Sequence, residues 1–416
     1  MRPVYRLPPE VLVEVLTWYR RLESRRRNDK WFTWVRLMSV SHRWRATILS
    51  FPSLWSVVHF NGELSPETVR MLLGRSGGHP LDVIIPGIGC TLKSIRYSHA
   101  RDASAHTSRI RKFLIYPYMV GNDVKDIVKI FSRPAPNLTH LKIIVVHMPG
   151  DTISFPDLFG LEFPQLRVLK VAGVRGWPKI VGANITHITV NDSLNLRVLK
   201  DSILHSPNLK ALKIQGVWIF DTPATGTLAE PITLPPGVRL SIRRTRSCSR
   251  ILELFALPRD GHIIISPNLI QLHEMPLLSH VLPTDISHLQ NLHTTTRFHV
   301  KARIDFCVTL GLRCFRLDRP AFEVDVMYIP EGRTVPQASL VMRFLCELHQ
   351  IVLRGVEELR MDGFVGGLAP QEAELLGFLK GMPALKRVIT TDGNEAQLLS
   401  VLDSLGCQAI VVRVEE

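Results

Sequence analysis

Three short stretches carry residue types that could do covalent, phosphate or metal chemistry. Gly74-Arg75-Ser76-Gly77-Gly78 has the Gly-x-Ser-x-Gly spacing of a hydrolase nucleophile elbow. That device needs a strand, then a sharp turn holding the serine, then a helix. Here Val69, Leu72 and Leu73 repeat at helical spacing before the motif, and the apolar run Leu81 to Ile85 reads as a strand after it. The order is inverted, so the glycines are expected to close a helix and open a turn. Gly87-Ile88-Gly89-Cys90-Thr91-Leu92-Lys93-Ser94 resembles a phosphate loop, but the glycine that must precede the lysine is replaced by Leu92. A surface loop is expected there. Cys346-Glu347-Leu348-His349 has ligand-like spacing without a second pair, and Cys307 and Cys314 lack accompanying histidines. Tetrahedral zinc needs four convergent ligands. No paired-carboxylate, dinucleotide or kinase signature is present. The expectation is a binding protein and not an enzyme, with no catalytic residue, cofactor or metal.

Composition narrows the class. The 416 residues exceed one ordinary domain unless they form a repeat array. With 45% hydrophobic and 21% charged residues the chain is globular and not disordered. No apolar run reaches the length of a membrane span, about 18 residues or more. Pro8, Pro9, Glu10 and Glu14 break up the first apolar stretch, so no secretory leader is expected. The six cysteines follow no framework pattern, which fits reduced thiols in the cytoplasm or nucleus. Half of the +14 net charge lies in residues 1–60, where eleven Arg or Lys face four acids. The run Arg20 to Lys30 could bind nucleic acid, serve as a nuclear signal, attract an acidic protein, or simply be solvated. A nucleic-acid interface would also need aromatic platforms. The aromatic residues here fall at helical core spacing instead.

The elements near the N-terminus are short helices. Pro8 and Pro9 stand where a helix starts, because proline loses nothing at the first helical position. Leu12, Val15, Leu16 and Tyr19 then recur as one apolar face. Trp31 to Val40 reads as a second helix or helical turn. Ser41 is placed to cap a third, which carries Trp44 and Ile48 and ends at Pro52. Five of the seven tryptophans fall in this segment, enough for a small core that leans on a neighbour.

These residues resemble the F-box, the helical module that docks on the SKP-type adaptor of cullin-based ubiquitin ligases. The likeness is closest to the F-box proteins numerous in fungi. Leu7, Pro8, Glu10, Leu12, Val15 and Leu16 match its first helix. Val40, Arg43, Trp44 and Arg45 match its Val-Cys-x-x-Trp-Arg stretch, with Ser41 in place of the cysteine, and Pro52, Leu54 and Trp55 match its close. The resemblance spans roughly residues 5 to 57, and the Arg20–Lys30 run is an insertion relative to it. It implies adaptor contacts at Leu7, Pro8, Leu12, Val15, Leu16 and Trp44, and through the adaptor a link to a cullin.

Beyond residue 60 a phrase returns: Pro136-Asn137-Leu138-Thr139-His140-Leu141-Lys142-Ile143, then Pro164 to Val171, then Pro207 to Ile214. Weaker copies begin at Pro267 and Pro383. The shared Pro-x-Leu-x-x-Leu-x-Ile/Val is the strand phrase of a leucine-rich repeat. Amphipathic helices alternate with it, as at Val124-Ile127-Val128-Phe131 and Leu398-Val401-Leu402-Leu405. The spacing is uneven, and the asparagine ladder of such repeats is replaced by Val146, Val174 and Val217. Residues 221–237 read as a loop, and residues 284–300 show no period.

The expected architecture is therefore α/β. A short three-helix F-box-like module (1–60) precedes an irregular, leucine-rich-repeat-like α/β solenoid (61–416). The expected function is that of a non-catalytic substrate receptor of an SCF-type ubiquitin ligase. Alternatives are a repeat scaffold outside any ligase and a basic nucleic-acid-associated protein. A solenoid binds partners with the strand residues between its buried ones. Those positions, Thr139, His140, Lys142, Arg167, Lys170, Lys210 and Lys213, are largely basic and point to an acidic or phosphorylated protein substrate. The same lysines would also serve solubility alone.

Overall fold

The computed structural model describes residues 7–25, 33–60, 64–85, 93–116, 121–144, 158–161, 163–172, 184–191, 196–216, 230–245, 248–267, 281–283, 285–293, 295–304, 308–328, 341–342, 344–347, 353–364, 370–391 and 395–414. The chain is α/β, with a mostly parallel, unclosed sheet and several helices. It divides into two compact units, residues 1–185 and 186–416.

The first unit opens with helix α1 (Pro9–Arg25), started by Pro9 with Glu10 in its first turn. The helix runs through Arg25, so the first six residues of the basic run extend it. Trp34 lies in a 3-10 turn (Thr33–Ser39) rather than a full helix. Helix α2 (His42–Ser50) is capped as expected, its Ser41 side chain accepting from the Trp44 amide at 3.2 Å. Another 3-10 turn, Pro52–Trp55, follows. Leu12, Leu16, Trp34, Ile48, Leu54 and Trp55 fill the space between these pieces. Trp34 and Trp55 meet edge to face at 5.3 Å, and the Trp55 indole donates to Ile48 O at 2.8 Å.

The helices lead straight into a sheet. Strands β1 (Val57–His59), β2 (Leu81–Ile85), β3 (Ile110–Ile115), β4 (His140–Ile144) and β5 (Val168–Ala172) lie side by side in chain order, all parallel. They start 24 to 30 residues apart. Helices α3 (Pro66–Arg75), α4 (Lys93–Ser104) and α5 (Gly121–Ile130) occupy crossovers, which parallel strands require. No linker separates module from sheet: Arg20 donates to Leu54 O at 2.6 Å, and the Asp82 amide to Ser56 O at 2.8 Å. The expected boundary near residue 60 thus falls inside one compact unit. Register aligns Val83, Phe113, Leu141 and Leu169 in one buried row, and Ile85, Ile115, Ile143 and Val171 in the next. Phe113, Phe131, Phe159 and Phe163 extend the core with ring contacts of 4.7 to 6.3 Å.

The second unit repeats this plan in β6 (His187–Asn191), β7 (Ala211–Gln215), β9 (Arg239–Arg243) and β11 (His262–Ser266), parallel and adjacent. In a small side pair, β8 (Ile232–Thr233) lies within the region read as a loop and its partner β10 (Phe255–Ala256) follows β9. Two phrases missing from the sequence pattern explain its uneven spacing. Ile185-Thr186-His187-Ile188-Thr189-Val190 builds β6, and Val238-Arg239-Leu240-Ser241-Ile242 builds β9 with one residue fewer. The copy at Pro267 is displaced: the strand is His262–Ser266, and residues 268–280 lie outside the described set.

The repeat is then interrupted. Strands β12 (Arg297–Ile304), β13 (Val308–Arg316) and β14 (Arg319–Tyr328) form an antiparallel meander, with β14 beside β11 and β12 beside β15 (Glu358–Asp362). The helices Glu372–Leu379 and Glu395–Ser404 then alternate with β16 (Arg387–Thr390) and β17 (Ile410–Arg413), parallel to β15. The aperiodic residues 284–300 therefore lead into, and at 297–300 begin, the longest strands among the described residues.

The β13–β14 connection has only two residues between paired Arg316 and Arg319, with φ of 45° at Leu317 and 64° at Asp318. Both central residues of this turn type need the left-handed region, which asparagine and glycine occupy most easily. Leu317 is 77% exposed, so no packing offsets its strain. Leu317→Gly is expected to stabilise the second unit by about 1 kcal/mol. Urea denaturation midpoints of the two proteins check this.

Candidate protein-interaction site

Two surfaces of the first unit stand out, one on the helical module and one on the sheet. On α1 the expected adaptor face has to be redrawn. Leu12 and Leu16 are 2% and 0% exposed, packed inside the module, and cannot contact a partner without unfolding it. The outward stripe is Val11, Val15 and Trp18, at i, i+4 and i+7, with Trp18 63% exposed. The α1 sequence has two adjacent apolar stripes, and only the tertiary fold decides which one faces in. Val15 lies on the surface, and Pro8 is exposed. Leu7 and Trp44 are half-buried, and Leu7 O accepts from the Arg43 guanidinium, which fixes the approach to α1. Val40 and Leu49 are further exposed apolar residues of the module. Trp31 and residues 26–30 lie outside the described set.

The sheet surface follows from alternation. Val83, Phe113, Leu141 and Leu169 point inward, so their neighbours point to the other face. That face carries Asp82, Lys112, His140 and Val168 in one register row, and Ile84, Leu114, Lys142 and Lys170 in the next. The structure thus brings together five of the expected contact residues. Lys142 and Lys170 are in register neighbours, and Thr139, His140 and Arg167 flank them. Thr139 Oγ1 donates to Arg111 O at 3.0 Å and lies 2.9 Å from His140 Nδ1. Lys210 and Lys213 belong to the second unit. Lys210 is exposed before β7, and Lys213 aligns with Thr189 and Ser241.

Charges on this face are unevenly partnered. Asp82, buried, receives Arg111 at 2.9 and 3.0 Å and Lys112 at 3.4 Å. Lys142 instead sits 4.0 Å over the ring of Tyr116, a residue the sequence pattern did not single out. Burial, then the neighbouring Lys170, pushes the Lys142 ammonium down to about 8, and burial also lowers Lys170. Burial holds His140 below its ordinary value, so it stays largely neutral. In the second unit Asp362 accepts from His299 at 2.7 Å and Arg360 at 2.9 Å, and His262 lies 3.2 Å from Glu323.

The motifs considered for chemistry resolve locally. Ser76 caps the end of α3 and its hydroxyl donates to Leu73 O at 2.6 Å, with Gly77 at φ 52° in the turn. Lys93 begins α4, and residues 86–92 are outside the described set. Cys346 Sγ faces Glu374 O at 3.8 Å, and Cys314 is buried in β13. His349 and Cys307 are outside the described set, as are Val146, Val174 and Val217. Among the described residues, no three His, Cys, Asp or Glu converge on one point, and no helix is long and apolar enough to cross a membrane. No protein-family model matches the chain, and no curated protein matches it.

Leu16 and His59 give two predictions. Leu16→Ala is expected to cost about 2–5 kcal/mol of stability, whereas Trp18→Ser stays within about 0.5 kcal/mol. Thermal unfolding of each variant distinguishes inner from outer stripe. His59, in β1, is held down to about 4 by burial and then by Arg20. Its unfolded form takes a proton near pH 6.5, so stability is complete above that and falls as pH drops towards 4. His59→Leu should flatten the loss, read from unfolding midpoints between those limits.

Proposed function

We propose that this chain is a non-catalytic bridging protein, a substrate receptor of an SCF-type ubiquitin ligase. In this reading the helical module holds an SKP-type adaptor, and through it a cullin, while the open sheet face holds a protein substrate. The observation that carries it is the α1 stripe. A helix whose inner face is already packed still shows Val11, Val15 and Trp18 to solvent. An exposed tryptophan flanked by apolar residues is the composition of a binding hot spot. Leu7, Pro8 and Trp44, each at least partly exposed, are the further contacts that the F-box resemblance implies, and the excess of positive charge in residues 1–60 suits an acidic adaptor.

Strand order supports the repeat half of the reading. Within each unit, parallel strands added one by one, 23 to 30 residues apart outside the antiparallel meander, are what a leucine-rich-repeat-like solenoid produces. In such an array the unburied strand positions form the recognition surface. The ligase chemistry would lie in other subunits.

Co-purification with an SKP-type adaptor tests the proposal. Val15→Asp/Trp18→Asp should keep the fold and lower adaptor capture at least about tenfold. Equal capture by both proteins, or none by either while both remain folded, would rule out docking through α1.

A further inference from the structure

The pair Lys142 and Lys170 is arranged unlike any other cationic group described in the protein. They occupy the same register position on adjacent parallel strands, β4 and β5. Neighbouring strands lie about 4.8 Å apart, so the two side chains rise from one spot on the sheet. Both are half-buried. Among the described residues neither has a carboxylate partner, although Asp82, two strands away from Lys142, is available in principle. Its oxygens are taken by Arg111 and Lys112. Around the pair the face is largely apolar: Leu114, Ile144, Val168 and the Tyr116 ring.

Physics disfavours this arrangement in an empty protein. Like charges side by side on a sheet repel, and burial removes the water that would screen them. Solubility does not require it, because a lysine serves solubility best when fully exposed. The Tyr116 ring holds the Lys142 ammonium at 4.0 Å, an attraction that fixes its place but leaves both positive charges unneutralised. A doubly negative group between the two ammonium ions would turn the repulsion into attraction.

We propose that Lys142 and Lys170 form a binding site for a single phosphate-type dianion on the open face of the sheet. The site needs two negative charges, so a carboxylate satisfies it only in part. Three acceptor oxygens suit two separate ammonium donors, and lysine binds phosphate as a point charge. The dianion is a phosphomonoester on a protein side chain or a free small phosphate, which present the same chemistry to the lysines. The inference does not depend on adaptor docking.

Among the described residues the charged or titratable groups near Lys142 are few: Lys170 on β5, then, one row away, Lys112 on β3 and His140 on β4, with Arg167 entering β5. Burial raises the Tyr116 phenol, which stays neutral. Lys142 loses its proton near 8, whereas a phosphomonoester gains its second charge near pH 6. Affinity should therefore peak between those limits and fall on both sides.

The test is calorimetric titration of the full chain with inorganic phosphate, with a phosphoserine peptide of neutral flanks, and with acetate. Saturable binding of phosphate or the phosphopeptide is expected, with little for acetate. Lys142→Gln and Lys170→Gln should each weaken it at least about tenfold. Lys386→Gln, at an exposed lysine paired with Glu357, should leave it unchanged. Tighter binding of the peptide than of phosphate identifies a protein-borne dianion, and equal binding a small free one. Lys142→Met keeps the test readable if a glutamine variant unfolds. It should raise the melting temperature of the free protein and abolish the further rise that phosphate gives the wild type. No binding of either phosphate probe, equal binding of acetate, or insensitivity to both lysine changes would overturn the proposal.

Discussion

The rest of the first unit depends on the in-register stacking of apolar residues between parallel strands. Val83, Phe113, Leu141 and Leu169 occupy one row, and Ile85, Ile115, Ile143 and Val171 the next. A slip of one residue in any strand would turn its whole apolar set outward. Register is thus tightly specified, and with it the identity of every residue on the opposite face. The chemistry presented on that face is a by-product of the core. Lys142 and Lys170 are neighbours because Leu141 with Leu169, and Ile143 with Val171, must be.

The helical module obeys the same logic with a different period. Its core of Leu12, Leu16, Trp34, Ile48, Leu54 and Trp55 closes onto β1 without a linker, and Arg20 ties α1 to the turn before that strand. Because α1 is held from inside, its outer stripe is a rigid surface. Pre-organisation of this kind reduces the ordering cost of binding.

Much of this was legible in the residues. The helix start at Pro9, the Ser41 cap and strands β4, β5, β7 and β16 follow from short-range patterns. What was hidden has physical causes. Two apolar stripes on α1 differ only in which one the neighbouring helices cover, so Leu12 and Leu16 read as contacts when they are core. The phrase building β6 lacks a leading proline, and that building β9 lacks one residue, so both fell below the pattern. The antiparallel strands β12 to β14 have no turn signal, because Leu317-Asp318 makes a turn usually built from asparagine and glycine. Tyr116 lies one residue beyond β3, where no periodicity marks it, and only the structure sets it beneath Lys142.

The central claim is that a partner covers α1 at its outer stripe. Hydroxyl-radical footprinting of the unmodified chain measures this directly, because the tryptophans provide internal references. Trp18 is 63% exposed, while Trp34 and Trp55 are each 1% exposed. In the free chain Trp18 should oxidise readily and the two buried rings should not. With a saturating SKP-type adaptor, Trp18 should become as protected as Trp34 and Trp55. Undiminished oxidation of Trp18 in a complex that has demonstrably formed would contradict the account.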